Sequence, residues 1–371
     1  MGTRDESEPT HADAISLGRV RGRGAGLNPG NRFETVRLHV LGEELDARRS
    51  ECPGGVQVAT RVLPDRTRSI INAVDSPDLS FKWTVNPYRG CEHGCVYCYA
   101  RPGHEYLGLS SGLDFETTIL AKHDAPELLK RELGASGWRG ETIVMSGVTD
   151  CYQPVEKDLA ITRACLEVCL AFRQSVSIIT KNALVLRDVD IIRRLNAHGL
   201  VRIGLSLTTL DAALSRVMEP RASAPHDRLR ALRTLSAEGI PTVVMTAPVV
   251  PAINDHEVPA LLKAAADAGA RGAGYVLLRL PHQIKALYED WLRRHFPDRA
   301  ERSLSLLRSM RGGELYRAGA HTRFTGTGPY AEQLGRTFRV FAQRYGLHRP
   351  LEPLNTGAFR RSGEATLFDG D

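Results

Sequence analysis

Three cysteines close together in the sequence constrain this 371-residue chain more than any other feature. Cys91, Cys95 and Cys98 are spaced C-x₃-C-x₂-C, and no fourth cysteine follows nearby. The same spacing also suits one face of a helix, where cysteine packs as a small hydrophobic residue. Pro87 and Gly94 break helices, and polar residues stand between the cysteines, so a buried helical stripe is disfavoured. The trio is more typical of a ligand set in a loop.

The cysteine spacing indicates an iron–sulfur cluster that has one open coordination position. A 4Fe–4S cluster held by thiolates normally takes four cysteines, so three leave one iron atom free to bind another molecule. Zinc is the alternative, and its fourth ligand would have to be His93 or His104. Seven cysteines spread over a long chain do not resemble a disulfide framework. We therefore expect a reducing, cytoplasmic environment.

Composition predicts a soluble globular protein without a membrane segment. The chain is 42% hydrophobic and 25% charged, and it has no apolar run long enough to span a bilayer. Its N-terminus lacks the apolar segment of a secretory signal. The net charge of +6, with arginines clustered within residues 19–23 and 299–311, is compatible with DNA or RNA as a partner. A GC-rich genome would enrich arginine equally, so both explanations stay open.

Alternating strand and helix patterns between residues 76 and 290 predict an α/β core. Strands are predicted at residues 81–86, 142–146, 176–180, 201–207, 241–250 and 274–280. Helices are predicted at residues 125–133, 157–172, 187–197, 226–237 and 257–268. Such repeats predict parallel strands joined by right-handed crossovers, in a barrel or an open sheet. Residues 1–75 are expected to form a partly disordered N-terminal extension, and residues 291–371 a C-terminal helical cap and tail.

Candidate site residues follow the ends of the second to fifth predicted strands, where the chemistry of a barrel gathers. They are Gly147, Thr149, Asp150, Lys181, Ser206 and Asn254. Each polar member has a structural alternative. Thr149, Asp150 and Asn254 suit the start of a helix, and Lys181 suits a position facing solvent.

These motifs together are similar to those of the radical S-adenosylmethionine (radical SAM) superfamily. That superfamily has the same cysteine spacing and usually an aromatic residue before the last cysteine, where this chain has Tyr97. The spore photoproduct lyase-like branch, also described as related to DNA repair photolyases, resembles this chain at residues 86–95, 98–102, 149–154, 180–182, 219–222 and 254–255. The resemblance covers roughly residues 65–281. It implies a partial (β/α)₆ TIM-type barrel of parallel strands.

The resemblance also implies the chemistry of the site. A 4Fe–4S cluster on Cys91, Cys95 and Cys98 would reductively cleave S-adenosylmethionine to a 5′-deoxyadenosyl radical, using electrons from a donor such as flavodoxin or ferredoxin. Damaged or modified nucleic acid is the implied substrate. A protein or small-metabolite substrate is an alternative, and so is a non-catalytic iron–sulfur protein associated with nucleic acid.

Within this family, the strand-end residues and two tyrosines would surround S-adenosylmethionine. Tyr97 or Tyr99 is expected to pack on the adenine. Gly147, Thr149 and Asp150 are expected to contact the methionine amino group, and Lys181 the methionine carboxylate. Ser206 is expected to contact the ribose, and Asn254 the adenine edge.

Two positions depart from the pattern of this branch. Ala252 stands where glycine is common. The branch uses a cysteine near the end of the second strand as hydrogen-atom donor, and this chain has Gly147 at about that position. The nearest thiol is Cys151, which is our candidate catalytic hydrogen-atom donor. Packing at the start of a helix is the alternative for Cys151.

The polar tail contains one further motif. Residues 364–368, Glu-Ala-Thr-Leu-Phe, resemble the Gln-x-x-Leu-Phe peptide that docks on the bacterial sliding clamp, with glutamate in place of glutamine. An exposed Leu-Phe pair near a terminus favours burial in a partner groove. We therefore expect the sliding clamp as a further partner.

Overall fold

A computed structural model of the chain describes residues 15–16, 20–33 and 57–361. The clamp-like motif at residues 364–368, Cys52 and the first ten residues, which were expected to be disordered, lie outside these ranges. No helix within the described ranges has both the length and the apolarity that crossing a membrane requires.

Six parallel strands form one sheet in the order of the sequence, which confirms the predicted fold. The strands are β1 Ile15–Ser16, β2 Leu27–Asn28, β3 Arg61–Pro64, β4 Ile71–Ala73, β5 Trp83–Val85, β6 Tyr88–Arg89, β7 Thr118–Ala121, β8 Ile143–Met145, β9 Val176–Thr180, β10 Val201–Ser206, β11 Thr242–Val249 and β12 Gly272–Leu277. β5, β8, β9, β10, β11 and β12 pair as parallel neighbours in that order. β4 adds antiparallel to β5, so in the described part of the chain this sheet has β12 and β4 as edges and stays open.

Helices connect the parallel strands and cover the outside of the sheet. They are α1 Asp114–Thr117, α2 Ala125–Gly134, α3 Glu156–Leu159, α4 Ile161–Ala171, α5 Val189–Ala197, α6 Ala212–Met218, α7 Pro225–Ala237, α8 Val258–Asp267, α9 Ile284–His295, α10 Pro297–Ser309 and α11 Pro329–Arg344. Short 3₁₀ helices span Arg101–Leu107, Ala183–Asp188, Asp255–Glu257 and Thr356–Ala358. In strand β8 all three residues are buried, because parallel strands in such folds are covered on both faces.

The observed helices and strands differ locally from the predicted ones. The helix predicted at 157–172 is divided into α3 and α4 because Ala160 has φ +51, a left-handed conformation that a continuous helix cannot contain. A second sheet, in the order β3-β7-β6, was not predicted. Its strand β3 is exposed along its whole length and therefore lacks the alternation of apolar residues that a sequence pattern detects.

The C-terminal helices form the predicted cap. Trp291 of α9 is fully buried, and its Nε1 donates to the carbonyl of Val217 at 2.9 Å. Phe338 of α11 packs on Tyr275 of β12, with ring centroids 4.7 Å apart. The backbone N–H of Leu277 donates to the carbonyl of residue 324 at 2.8 Å. The segment between α10 and α11 therefore lies directly against the end of the last strand.

Candidate active site

The three cysteines lie in a loop at the carboxyl ends of the parallel strands, just after β5 and β6. Cys91 and Cys95 are buried, and Cys98 is partly exposed. Gly90 and Gly94 have φ values of +78 and +65, in the left-handed region that favours glycine. These glycines let the loop turn tightly, so one short segment supplies all three thiols.

The electrostatics of these thiols fit a bound cluster. Burial is the largest effect, and it raises the pKa of each of the three cysteines. The charges of Asp150 and of the thiolates of Cys95 and Cys98 raise the pKa of Cys91 further. Thiolates that are buried and repel one another need a bound metal to stay deprotonated. Iron coordination would supply that stabilisation.

The two histidines near the cysteines are engaged elsewhere, which disfavours the zinc alternative. His104 Nε2 lies 2.9 Å from the carbonyl oxygen of Thr118. His93 Nδ1 lies 3.3 Å from Asp150 Oδ2, and its Nε2 lies 3.4 Å from Asn182 Nδ2. Three cysteine thiols on one loop suit a cluster that has one open iron, and among the described residues no group of three or more His, Cys, Asp or Glu side chains forms a preformed metal site.

The segment after β8 holds the cysteine loop from one side. The Thr149 hydroxyl donates to the carbonyl of Tyr88 at 3.2 Å. The Gln153 side chain donates to the Gly90 carbonyl at 3.2 Å and accepts the backbone N–H of Glu92 at 2.9 Å. Thr149 was predicted to contact S-adenosylmethionine. Its hydroxyl proton is donated to the cysteine loop itself.

Asp150 connects the cysteine loop to the end of β9. Its Oδ1 accepts the Thr180 hydroxyl at 2.7 Å, and its Oδ2 accepts the backbone N–H of Lys181 at 2.8 Å beside His93. Burial alone would raise the pKa of Asp150, but His93 and these hydrogen bonds outweigh it and lower the pKa to about 2. Asp150 thus fixes the loop, and its contact with the methionine amino group stays a prediction.

A buried carboxylate network holds the loop from a second side. Tyr97 Oη and Arg228 Nη2 both donate to Glu219, and the Thr208 hydroxyl donates to Glu219 at 2.6 Å. Burial alone would raise the pKa of Glu219, but the charges of Arg228 and Lys181 lead the effects that lower it to about 2. Glu219 therefore stays ionised and fixes Tyr97 between two of the cysteines.

The N-terminal extension holds the loop from a third side. Arg101 donates to the Cys95 carbonyl from Nε at 3.0 Å and pairs with Glu116 at 2.5 Å, where both side chains are fully buried. The two carboxylate oxygens of Glu116 accept the backbone N–H groups of Gly24 and Ala25 at 2.9 and 2.8 Å. The Gly- and Arg-rich start of the chain is thus part of the site rather than a separate appendage.

Two groups of predicted residues meet around the triad. Lys181 Nζ donates to Ser206 Oγ at 3.1 Å and lies 5.9 Å from the centre of the Tyr97 ring. Tyr99 Oη donates to the carbonyl of Gly147, and 47% of Tyr99 is exposed. The structure therefore brings Lys181, Ser206 and Tyr97 together beside the cysteines, as a cofactor cradle requires. Tyr99 and Gly147 lie together at the solvent side.

Asn254 closes the turn after β11. Its Nδ2 donates to the carbonyls of Thr208 and Pro248 at 2.8 and 3.1 Å, and its Oδ1 accepts the N–H of Val250 at 2.6 Å. These bonds occupy both amide hydrogens and one acceptor position, so its main contribution to the site is to shape this turn. Ala252 in the same turn has φ +61, which explains why glycine is common at this position.

Cys151 is completely buried in the core behind the strand end. Its backbone N–H donates to Ser146 Oγ at 2.9 Å, and its carbonyl accepts the Thr162 hydroxyl at 2.7 Å. This placement favours the packing alternative, and the donor role of Cys151 stays a prediction. Gly147 leaves no room for a donor either, since an added Cβ would lie 2.9 Å from Thr84 Cγ2.

Residues that the sequence analysis did not single out also build the site. They are Arg101, Glu116, Gln153, Glu219 and Arg228. Arg101, Gln153 and Glu219 fall inside motifs that carry the family resemblance, and this was the available signal for them. The others are charged residues whose partners are distant in the sequence, so no local pattern indicates their burial.

Gly24→Ala is expected to loosen the cysteine loop. A Cβ at Gly24 would overlap the carbonyl oxygen of Gly94, and the backbone cannot give way without moving the loop. We expect less iron bound per protein after anaerobic reconstitution and faster loss of iron to a chelator. The control is Gly103→Ala, where no atom lies within 4 Å of the added Cβ. Equal iron retention in both variants would contradict this role for Gly24.

The ionised state of Asp150 predicts acid sensitivity of the folded apoprotein. Its pKa is lowered to about 2 in the fold from an ordinary value of 3.8, so its contribution to stability is complete above the unfolded pKa. That contribution is lost as the pH falls from about 5 towards 2. Urea unfolding at several pH values should show a weaker loss of stability in Asp150→Asn. If Asp150→Asn and the wild type show the same pH dependence of stability, the contacts of Asp150 do not lower its pKa in the fold.

Solved structures with a similar fold include spore photoproduct lyase. One variant with bound AdoMet and dinucleoside spore photoproduct superposes with a TM-score of 0.54 at 19% identity, covering 84% of this chain and 85% of that chain. Another variant gives a TM-score of 0.53 at 18% identity over the same shares of the two chains.

Sequence relatives extend over more of the chain than the core alone. An uncharacterised protein of Mycobacterium tuberculosis (strain ATCC 25618 / H37Rv) is 34% identical over 307 residues, which are 81% of this chain and 86% of that protein. An uncharacterised protein of Methanocaldococcus jannaschii is 32% identical over 196 residues, covering 53% of this chain and 70% of that protein. The sequence model of the Radical SAM superfamily matches residues 85–265. This chain therefore belongs to the radical SAM superfamily, whose members use a 4Fe–4S cluster and S-adenosylmethionine.

Proposed function

We propose that the protein is a cytoplasmic radical SAM enzyme that acts on damaged or modified nucleic acid. Cys91, Cys95 and Cys98 would hold the 4Fe–4S cluster, and Lys181 and Ser206 would bind S-adenosylmethionine beside it. When bound, these cofactors supply an electron and a 5′-deoxyadenosyl radical that abstracts hydrogen from the substrate. The observation that carries the proposal is the placement of a cation, a hydroxyl and an aromatic ring beside three cysteines of one loop.

Lys181 is the best-placed group for the carboxylate of S-adenosylmethionine. Its side chain spans from the Tyr97 ring to Ser206 Oγ. Burial raises the pKa of Cys95, and the charge of Lys181 partly opposes that effect. Two acids beside the loop, Glu219 and Asp150, already accept several hydrogen bonds. Lys181 is therefore the cation with room for another anion.

A nucleic-acid substrate is supported by two observations. The net charge of +6 suits a polyanion. The fold is similar to that of a lyase whose structure contains a dinucleoside photoproduct. A protein or small-metabolite substrate remains the alternative. Flavodoxin or ferredoxin as electron donor, and the sliding clamp as partner of residues 364–368, are further predictions.

The decisive experiment measures cofactor loading and cleavage. Anaerobically reconstituted protein, reduced with dithionite, should convert S-adenosylmethionine to 5′-deoxyadenosine, and lesion-bearing DNA should increase the yield or be converted. Alanine at Cys91, Cys95 or Cys98 should abolish both iron binding and 5′-deoxyadenosine formation. Cys169→Ala, which changes a buried cysteine of α4, is the matched control and should retain both. A wild-type protein that holds the cluster but forms no 5′-deoxyadenosine would support the non-catalytic alternative.

Lys181→Met is expected to weaken S-adenosylmethionine binding without removing the cluster. Losing one charge-assisted contact should raise KM for S-adenosylmethionine by roughly tenfold or more. Iron content should stay that of the wild type, because no ligand changes. Lys263→Met is the control, since Lys263 pairs with Asp267 on the exposed face of α8. A parallel fall in iron content would instead assign Lys181 to the structure of the loop.

A further inference from the structure

Arg279 lies at the open side of the barrel, two residues after the end of β12. Its guanidinium carbon is 5.1 Å from the centre of the Tyr99 ring and 4.8 Å from that of Phe324. Tyr99 follows the last cysteine and bonds through its hydroxyl to Gly147 at the end of β8. Arg279 and Tyr99 together therefore bridge the second and sixth parallel strands across the opening of the sheet.

Within the described residues the guanidinium of Arg279 makes no hydrogen bond or ion pair, and its Nε is buried without an acceptor. Two fully buried arginines of this protein, Arg101 and Arg228, are instead paired with carboxylates, those of Glu116 and Glu219. A half-buried guanidinium that faces only aromatic rings is unusual, because burying a cation is costly unless an anion compensates it.

A second arginine increases the positive charge at this place. Arg311 is 3% exposed and donates only to backbone carbonyls, those of Thr322 at 2.9 Å and Leu278 at 3.1 Å. Its Nε is also buried without an acceptor. Burial is the larger effect that lowers the pKa of Arg311, and the charge of Arg279 lowers it further. Two cations thus repel each other beside the mouth of the site.

The nearby acid Asp78 is already paired with other groups. Asp78 Oδ2 lies 2.5 Å from Arg323 Nε, and Asp78 Oδ1 accepts the backbone N–H of His321 at 2.6 Å. Arg323 also lies over the Phe324 ring, at 5.0 Å from its centre. Asp78 therefore compensates Arg323, and the positive charge of Arg279 and Arg311 is left for an external anion.

We propose that Arg279, with Arg311 behind it, binds a backbone phosphate of a single-stranded or locally unpaired nucleic acid at the mouth of the site. Arginine suits phosphate because its planar fork donates two hydrogen bonds to one phosphate group. Tyr99 offers a partly exposed ring on which an adjacent base can stack, as aromatic residues do in proteins that bind single strands. This inference rests on the proposed nucleic-acid substrate and names the residues that would position it.

The test measures binding of a fluorescent single-stranded oligodeoxynucleotide to the reconstituted holoenzyme over a range of salt concentrations. Arg279→Gln should bind roughly tenfold more weakly, and its slope of log affinity against log salt should fall by about 0.7, the value of one phosphate contact on a single strand. Arg279→Lys keeps the charge and should keep most of the slope. The matched control is Arg193→Gln on α5, an exposed arginine paired with Glu238, which should bind as the wild type does.

The outcomes separate this inference from the proposed function. If the wild type binds in a salt-dependent way and Arg279→Gln has the same affinity and slope, the phosphate site is overturned. The proposed substrate class then still stands. If Arg279→Gln and Arg193→Gln lose affinity for the oligonucleotide equally, the loss follows from the lower net charge alone. That result would also overturn the phosphate site. Weaker binding of S-adenosylmethionine in Arg279→Gln, with unchanged oligonucleotide binding, would assign the guanidinium to the cofactor carboxylate. Absence of oligonucleotide binding by the wild type would refute both the site and the nucleic-acid substrate.

Discussion

The position of the cysteine loop depends on three buried pairs of charged or polar groups. Asp150 with His93, Glu219 with Arg228, and Glu116 with Arg101 each attach the loop to a different part of the chain. An irregular loop has few backbone hydrogen bonds of its own, so side chains must fix its course. Breaking one partner of a buried pair leaves a charge without compensation, which typically costs about 3–5 kcal/mol. The geometry of the three thiols is therefore specified by residues far from them in sequence.

This arrangement also determines where positive charge is available. The acids that hold the loop are saturated, Asp150 by His93 and backbone N–H groups and Glu219 by Arg228, Thr208 and Tyr97. Two of the cations around the cysteines, Arg101 and Arg228, are already paired with Glu116 and Glu219. Lys181 meets only a hydroxyl and an aromatic ring within the described residues. Lys181 is therefore the cation that we propose for the carboxylate of the cofactor.

The sequence predicted the fold correctly and proposed a ligand set, because both leave local patterns. Parallel strands are continuous apolar runs, and cysteine spacing directly encodes three thiols on one loop. The roles of the residues after β8 were less predictable, since Thr149 and Asp150 carry groups that suit either a cofactor or a neighbouring loop. Only tertiary contacts distinguish these uses. The burial of Cys151 behind the strand end, and the contact of Gly24 with the loop, depend on long-range packing that no local pattern contains.

The openness of the sheet gives the remaining constraint on function. Within the described residues the main sheet has seven strands, six of them parallel, with β4 and β12 as edges, and it is open where an eight-stranded barrel would be closed. The cap covers the outer face of β12, and Tyr99 crosses the gap from Gly147 to Arg279. This open side is where we propose that a substrate would approach the cofactor site. The unmatched positive charge of Arg279 and Arg311 lies on the same path, which favours an anionic substrate that enters beside the last strand.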